Sequence, residues 1–354
     1  MGIVRELASD LERWRGRGER VALATVVATR RSAPRPVGAK LGVSEGGELA
    51  GSVSGGCVEN EVYGVAREVL EGSPGRLLTY GISDDFAIEV GLPCGGEIDV
   101  FVDAPEDAVL ERALEVADRG ERAVHFTVLA GPEVGSELLV LEDGETVGSG
   151  PPELAGHARE LIRGKRSQVV ELEGRTVFAD VLGPPPRLLV LGAVDTAEAL
   201  CKAARMIGWR TIVADARGKF ATAERIPSAD ELIVGWPEDV LERVQPDHDT
   251  AVVVLTHEEK FDVPALAGAL ATESFYVGAM GSRRAQESRR ERLLEAGIDE
   301  GSLDRVFGPS GLDLGAQSPS ETALSVLAEV LAVRAGRTGG HLKEARGRIH
   351  ADVV

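Results

Sequence analysis

The sequence contains few basic residues, few aromatic residues, and no apolar run approaching the roughly 20 residues that span a bilayer. Its 354 residues include 39 Lys and Arg against 58 Asp and Glu, which gives a formal net charge of -19. Because such a surface repels polyanions, we expect no nucleic-acid partner, and we expect no membrane partner either. The first 20 residues form a charged amphipathic pattern rather than a signal peptide, which predicts a cytoplasmic protein.

Cysteine is also scarce, with three residues far apart in the sequence. This number excludes a disulfide-stapled scaffold and is typical of a reducing compartment. A zinc site is not expected, because no C-x-x-C pair is present. By contrast, 43 glycines and 43% hydrophobic residues indicate a folded chain with many tight turns, long enough for about two domains.

The proline run GPPPR at 183–187 predicts a domain boundary between residues 185 and 186. In 186–354, apolar runs of about five residues alternate with helical patterns, which is typical of a Rossmann-like, doubly wound parallel sheet. In 1–185, alternating β-branched strands, glycine turns and one clear helix from about Cys57 to Leu70 predict an α+β domain. The fold class is therefore α/β, with an α+β N-terminal half.

The N-terminal half shows an internal repeat. Gly38–Ser52 and Gly135–Ser149 match at eight of fifteen positions with a constant offset of 97. We interpret this as a duplicated unit, covering about 20–110 and 121–185, although two hairpins with similar turn residues would give the same signal. Only the first copy contains a Gly-Gly-Cys sequence, so we expect any chemistry of this half to lie there.

The first candidate site is SGGC, in which Ser54, Gly55 and Gly56 lead into a predicted helix start at Cys57. A helix N-terminus favours thiolate over thiol and can hold a phosphate, while glycines allow a ligand close to the backbone. Glu59 follows, either as a favourable charge at the helix start or as a group that moves protons. We predict that Cys57 and Glu59 act in catalysis and that Ser54, Gly55 and Gly56 bind a cofactor.

A second such element is PCGG, in which Gly95 and Gly96 follow Cys94. Each cysteine could instead be a small residue buried in a crowded turn. Since a small hydrophobe rarely needs two glycines beside it twice, we favour catalysis for Cys94 and cofactor binding for Gly95 and Gly96. Cys201, inside a predicted helix with apolar neighbours, is expected to be a core residue.

The turn that follows the first predicted strand of the second half matches the dinucleotide-binding fingerprint only in part. Gly192 takes the first glycine position, but Val194 replaces the second glycine, at which the pyrophosphate normally approaches the backbone. Asp215 ends the second predicted strand, where a Rossmann acid would accept a ribose hydroxyl, although a simple turn cap is an equal interpretation. Gly192 and Asp215 are therefore candidate cofactor-binding residues.

His257 follows a buried strand directly, at the edge where open α/β sheets bind ligands, and Lys260 and Asp262 are expected in the same loop. We predict that His257 binds a cofactor.

A further strand ends at Gly281 and is followed by a helix that begins at Ser282. Arg283 and Arg284 in its first turn oppose the helix dipole, which makes sense if an anion binds there. Gly281, Ser282, Arg283 and Arg284 complete the predicted cofactor-binding set.

The sequence resembles the XdhC/CoxI family of xanthine dehydrogenase accessory factors. The resemblance spans nearly the whole chain and rests on GSVSGGCVE, GLPCGG, LTHEEKFD, YVGAMGSRR and GLDLGAQSPSETALSVLAE. It implies a maturation factor rather than a stand-alone enzyme. Such a factor binds molybdenum cofactor, as molybdopterin or its dinucleotide, and protects it during installation of its terminal sulfur. It then delivers the cofactor to a molybdenum hydroxylase such as xanthine or carbon monoxide dehydrogenase.

By position, the resemblance makes Cys57 and Cys94 the motif cysteines, with Cys57 as a molybdenum ligand. It also implies a cysteine desulfurase partner and a homodimer. Asp195 departs from the family pattern, which often has His there, and puts in doubt any role that needs an imidazole at this position.

Three other functions fit parts of the sequence. An NAD(P)-dependent oxidoreductase would use the α/β half but is opposed by Val194. A thiol–disulfide enzyme is opposed by the 37-residue separation of Cys57 and Cys94. A docking scaffold without a ligand would leave two Cys-Gly-Gly elements unexplained.

Overall fold

The computed structural model describes residues 4–31, 33–81, 96–164, 166–256 and 258–345. The chain divides into two compact units, and the division between Pro184 and Pro185 lies inside the proline run. Among the described residues, no helix is both long enough and apolar enough to cross a membrane.

The first unit contains two antiparallel five-stranded sheets. The first sheet has the order β3-β2-β1-β5-β4. Its strands are β1 (Val21–Arg30), β2 (Lys40–Ser44), β3 (Leu49–Gly51), β4 (Arg76–Tyr80) and β5 (Glu97–Asp103). Helix α2 (Glu59–Leu70) covers one face, because Val62, Val65 and Val69 lie on one side of the helix and join the core.

The second sheet has the order β8-β7-β6-β10-β9. Its strands are β6 (Ala123–Ala130), β7 (Glu137–Leu141), β8 (Thr146–Val147), β9 (Gln168–Leu172) and β10 (Arg175–Leu182). A 3-10 helix (Pro152–His157) and α4 (Ala158–Gly164) occupy the place that α2 has in the first sheet. The core beneath them includes Leu154 and Ile162.

Both sheets have the same strand order and the same connections. A helix precedes each, α1 (Val4–Gly16) before β1 and α3 (Asp107–Arg119) before β6. Strands β2 and β7 occupy equivalent places and keep the offset of 97 that the sequence repeat shows. We infer that the two halves of this unit are copies of one ancestral unit.

A polar cluster lies between the two sheets, around a cavity of about 20 Å³, which is room for one water molecule. Lys40 and Asp180, only 3% and 1% exposed, form an ion pair of 2.9 Å across the sheets. Burial would raise the pKa of Asp180, but the Lys40 ammonium lowers it below its usual value. In the second sheet, Glu137 occupies the position equivalent to that of Lys40 in the first. Its Oε1 atom lies 3.0 Å from His125 Nε2. Burial and the Glu137 charge raise the pKa of Asp103 well above its usual value, against the opposing effect of Lys40.

The second unit is a six-stranded parallel sheet of order β13-β12-β11-β14-β15-β16, the arrangement of a dinucleotide-binding Rossmann fold. Its strands are β11 (Arg187–Leu191), β12 (Arg210–Asp215), β13 (Glu231–Val234), β14 (Thr250–Val254), β15 (Tyr276–Ala279) and β16 (Val306–Phe307). Its helices are α5 (Asp195–Met206), α6 (Pro237–Val244), α7 (Glu259–Leu270), α8 (Arg283–Glu295), α9 (Glu300–Leu303) and α10 (Pro319–Arg334). The predicted fold class is thereby confirmed.

Candidate functional site

Residues 52–58 form a loop at the end of the first sheet where β1 and β4 end and β5 begins. Val53 and Val58 anchor this loop, because both side chains are buried in the core beneath α2. Between these anchors, Gly55 and Gly56 are exposed, and Cys57 is an exposed free thiol. The loop therefore presents the thiol to solvent from a fixed base.

The Glu59 carboxylate binds the loop from inside. Its oxygens accept hydrogen bonds from the hydroxyls of Ser52 (2.6 Å) and Ser54 and from the N–H groups of Val53 (3.2 Å), Ser54 (2.9 Å), Gly56 (2.9 Å) and Val58 (3.2 Å). Burial would raise the pKa of Glu59, but these donors outweigh it and lower the pKa to about 2.

A carboxylate with this pKa stays ionised at neutral pH and is a poor proton carrier there. Glu59 holds the loop through these hydrogen bonds, and the catalytic role predicted for it stays a prediction. Helix α2 also begins at Glu59, two residues later than predicted, because the N–H groups of Cys57 and Val58 bind side chains of the loop.

Ser54 is the second internal acceptor of the loop. Its buried hydroxyl accepts from the N–H of Cys57 at 2.9 Å and from that of Val58 at 3.0 Å, while Ser52 Oγ accepts from Gly55 N at 2.8 Å. The N–H groups of residues 53–58 are thus satisfied within the loop. Sequence reasoning missed Ser52, for which the S-x-S spacing before the glycines was the available signal.

Both glycines of this loop have backbone torsions that favour glycine, with φ of +76° at Gly55 and +112° at Gly56. A Cβ atom at either position would meet no atom within 4 Å beyond the adjacent residues. Glycine is required here by the backbone torsions, and the space above the loop is open to a ligand.

The second cysteine element lies mostly outside the described residues. Cys94 and Gly95 are not among them, whereas Gly96 is buried and directly precedes β5. Since β5 begins at the end of the sheet that holds the Cys57 loop, Gly96 lies at that same end. The roles predicted for Cys94 and Gly95 stay predictions.

Cys201 is buried inside α5, as predicted for a core residue. Burial raises the pKa of its thiol to about 12, so it is unreactive in the folded protein.

In the second unit, Gly192 follows β11 with φ of +118°, and a side chain there would lie 3.0 Å from the Thr256 methyl group. Glycine is thus required by both torsion and space. Asp215, at the end of β12, is buried and accepts a hydrogen bond from Ala193 N at 3.0 Å.

Arg217 occupies further acceptor positions of Asp215. Its Nε and Nη2 atoms each lie 2.9 Å from a carboxylate oxygen, and this pairing lowers the pKa of Asp215 against the effect of burial. Arg217 also pairs with Glu258 at 3.1 Å and stacks on the ring of Phe220 at 4.0 Å. The Asp215 carboxylate is therefore already bound by protein groups. Sequence reasoning missed this role of Arg217, although Arg217 lies only two residues away from Asp215.

The starts of α5 and α8 differ in charge. Asp195 and Glu198 lie in the first turn of α5, and the Asp195 side chain is 86% exposed. The first turn of α8 contains no acidic residue, and Ser282 caps it by accepting from Ala285 N at 3.2 Å. Of the two helix starts, that of α8 favours an anion.

Arg283 and Arg284 are exposed in that first turn of α8, and within the described ranges neither side chain has an ion-pair partner. Gly281, with φ of +144°, joins β15 to this turn.

His257 lies outside the described residues. The prediction that Lys260 and Asp262 lie in its loop is wrong, because α7 already begins at Glu259. Lys260 is exposed and pairs with Glu258 at 3.2 Å, whereas Asp262 is buried and pairs with Arg289 at 2.8 Å.

Among the described residues, no group of three or more His, Cys, Asp or Glu side chains is arranged to hold a metal ion.

Two family models match the chain and together span more than half of it. The XdhC Rossmann domain matches residues 188–330, and the XdhC and CoxI family model matches residues 14–81.

Full-length relatives are also found. A protein of Bacillus subtilis named as a probable xanthine dehydrogenase subunit is 28% identical over 89% of this chain and 94% of its own length. The molybdenum cofactor insertion chaperone PaoD of Escherichia coli is 29% identical over 90% of this chain and 84% of its own. The crystal structure of a xanthine dehydrogenase from Bacillus halodurans superposes with a TM-score of 0.74 at 27% identity and covers 98% of both chains. The chain therefore belongs to the XdhC/CoxI family.

Proposed function

We propose that the chain is an accessory protein that binds molybdenum cofactor and inserts it into a molybdenum hydroxylase of the xanthine dehydrogenase type. The observation that supports this most directly is the exposed Cys57 thiol on a loop whose shape is fixed by Glu59 and Ser54. Thiolate is a soft ligand suited to a transition metal, and the open space above Gly55 and Gly56 leaves room for a bulky cargo. The similarity to PaoD, named as a molybdenum cofactor insertion chaperone, points the same way.

A phosphate site is proposed in the second unit, at the start of α8. Ser282, Arg283 and Arg284 provide positive charge and a capped helix start there, and His257 is proposed to contribute to the same site. Gly192 and Asp215 remain proposed contacts for a nucleotide portion, but the acidic start of α5 makes that turn a poor phosphate site.

Several finer features are part of the proposal. The cargo is molybdopterin or its dinucleotide, and the protein assists the installation of the terminal sulfur, with a cysteine desulfurase as partner. Cys94 with Gly95 and Gly96 completes the cargo site. The protein acts in the cytoplasm as a homodimer and as an accessory factor rather than as a stand-alone enzyme.

Co-purification tests this function. The parent and the variants Cys57→Ala and Cys94→Ala are expressed in a host that makes molybdenum cofactor, and bound molybdenum and oxidised-pterin fluorescence are measured per chain. Cys201→Ala is the matched control, because it removes a thiol from the core of the second unit. We expect about one pterin per chain in the parent and in the control, and loss in Cys57→Ala.

A parent without pterin would refute the proposal. The alternative is an NAD(P)-dependent oxidoreductase, which the strand order of the second sheet favours. Tight NAD(H) binding by a parent that lacks pterin would support that alternative.

A further inference from the structure

Two helices that follow loops at the carboxyl edge of the second sheet are joined by one buried ion pair. Asp262 lies in the first turn of α7, after the loop that follows β14, and Arg289 lies in α8, after the loop that follows β15. Both residues are only 2% exposed, and they are 27 positions apart in the sequence. Ligands of open α/β sheets bind at this edge.

Arg289 binds both a side chain and the backbone of the β15 loop. Its Nη2 donates to Asp262 Oδ2 at 2.8 Å and to the carbonyl oxygen of Met280 at 3.1 Å. Its Nη1 donates to Gln286 Oε1 at 2.6 Å, and Gln286 Nε2 donates in turn to the carbonyl oxygen of Ala279 at 3.0 Å. The two carbonyl groups immediately before Gly281 are therefore both fixed by this network.

The other end of the network fixes the β14 loop. The Thr256 hydroxyl donates to Asp262 Oδ1, and Thr256 also packs against the backbone turn at Gly192. The β15 loop is further joined to the end of β14, where Met280 N donates to Val254 O at 2.9 Å. The loops on both sides of the expected ligand position thus share one hydrogen-bonded network.

A buried ion pair adds little net stability to a core, because the desolvation of the two charges offsets most of their attraction. An apolar pair of similar volume would stabilise the fold about as well. An apolar pair, however, cannot form hydrogen bonds with the carbonyl of Met280, the side chain of Gln286 and the hydroxyl of Thr256. The network therefore determines the loop geometry more than it determines stability.

We propose that Asp262 and Arg289 are positioning residues for cargo binding. They hold the start of α8, with Ser282 and its two arginines, at a fixed place relative to the β14 loop, and neither touches the cargo. This inference rests on the proposed function, because it concerns the affinity of the cargo site in the second unit.

The test compares the retention of oxidised pterin after gel filtration in the parent and in the double variant Asp262→Asn/Arg289→Met. The double variant leaves no unpaired buried charge, and the amide oxygen introduced at position 262 can still accept from the Thr256 hydroxyl. We expect a folded protein, judged by circular dichroism, that retains at least ten-fold less pterin. The matched control is Lys40→Met/Asp180→Asn, which removes a similarly buried pair from the first unit and is expected to retain pterin.

A second variant covers the case in which the double variant fails to fold. Gln286→Leu removes the hydrogen bond to the Ala279 carbonyl and the acceptor of Arg289 Nη1, while the Asp262–Arg289 pair stays. It is expected to fold and to retain several-fold less pterin. If the double variant folds and retains as much pterin as the parent, the positioning role alone is overturned. If the double variant does not fold, parent-like retention of pterin in Gln286→Leu overturns it. A parent that retains no pterin overturns the proposed function and this inference with it.

Discussion

Removal of Lys40 should destabilise the first unit far more than removal of a surface lysine or arginine. Lys40 is the only Lys or Arg placed within 4 Å of Asp180 among the described residues, and Lys40→Met leaves that carboxylate buried between the sheets without its ammonium partner. An uncompensated buried charge costs about 3–5 kcal/mol. The nearby Asp103 and Glu137 carboxyls add to this loss of stability. Both line the same cavity as Lys40, and the substitution removes the positive charge of Lys40 from that cavity.

The double variant Lys40→Met/Asp180→Asn should recover most of this loss. It removes both charges, and the amide oxygen introduced at position 180 can still accept the hydrogen bond that Ser167 donates to Asp180 at 2.7 Å. We expect it to lie within about 1–2 kcal/mol of the parent, and therefore to be more stable than Lys40→Met alone.

The assay is urea unfolding followed by the fluorescence of Trp14, which is fully buried in the first unit. Trp209→Phe and Trp236→Phe in the background remove the signal of the second unit. The control is Arg76→Met, which breaks an exposed ion pair with Glu68 and should cost no more than about 1 kcal/mol. The reasoning is refuted if Lys40→Met costs as little as this control, or if the double variant costs the sum of its two single changes.

Three further predictions concern titrating groups. Since the folded-state pKa of Asp103 is raised, its protonated form stabilises the fold below about pH 4 and this stabilisation is lost as pH rises through the folded pKa. Asp103→Asn should therefore gain stability over the parent as pH rises above about 4 in thermal unfolding, and a difference that is constant with pH would contradict this. The pKa of Glu59 is about 2, so its stabilisation is present above its usual value of 4.5 and is lost as pH falls towards 2. Glu59→Gln, whose amide group cannot accept from all of the loop donors, should cost about 1–3 kcal/mol at neutral pH and much less near the folded-state pKa in urea unfolding; an equal cost at both would contradict this. Iodoacetamide under mildly alkaline conditions should label Cys57 in the folded protein and Cys201 only after unfolding, as measured by peptide mass spectrometry; equal labelling would contradict the burial of Cys201.

The fold class followed from the sequence because the signals for it are local. Five-residue apolar runs between helical patterns predicted the parallel sheet, and the repeat at an offset of 97 predicted a duplicated unit of hairpin and helix. The N-terminal end of α2 was predicted two residues too early, because its start depends on how the side chains of Ser54 and Glu59 fold back on the loop.

The sequence predicted a glycine loop before a helix at Cys57, but it did not predict which side chains bind to one another. The exposure of Cys57 at a glycine loop before a helix follows from a short motif. In contrast, Asp262 and Arg289 are 27 residues apart, and Lys40 and Asp180 belong to different copies of the repeat, so no local pattern reveals these pairs. Asp215 was predicted at the end of β12, but its pairing with Arg217 depends on a side-chain conformation that sequence spacing leaves open.

The duplicated unit is no longer symmetric in its interior. At the equivalent positions opposite Thr25 and Thr127, one copy has Lys40 and the other has Glu137, and both face the same cavity. If the two copies were made as separate polypeptides, a pair of first copies would bury two Lys40 ammonium groups together with two Asp103 carboxyls, whereas a pair of second copies would bury the carboxyls of two Glu137 and two Asp180 residues. The second copy is thus mismatched with itself and complementary to the first, so the separated second half should bind the first half rather than form a homodimer.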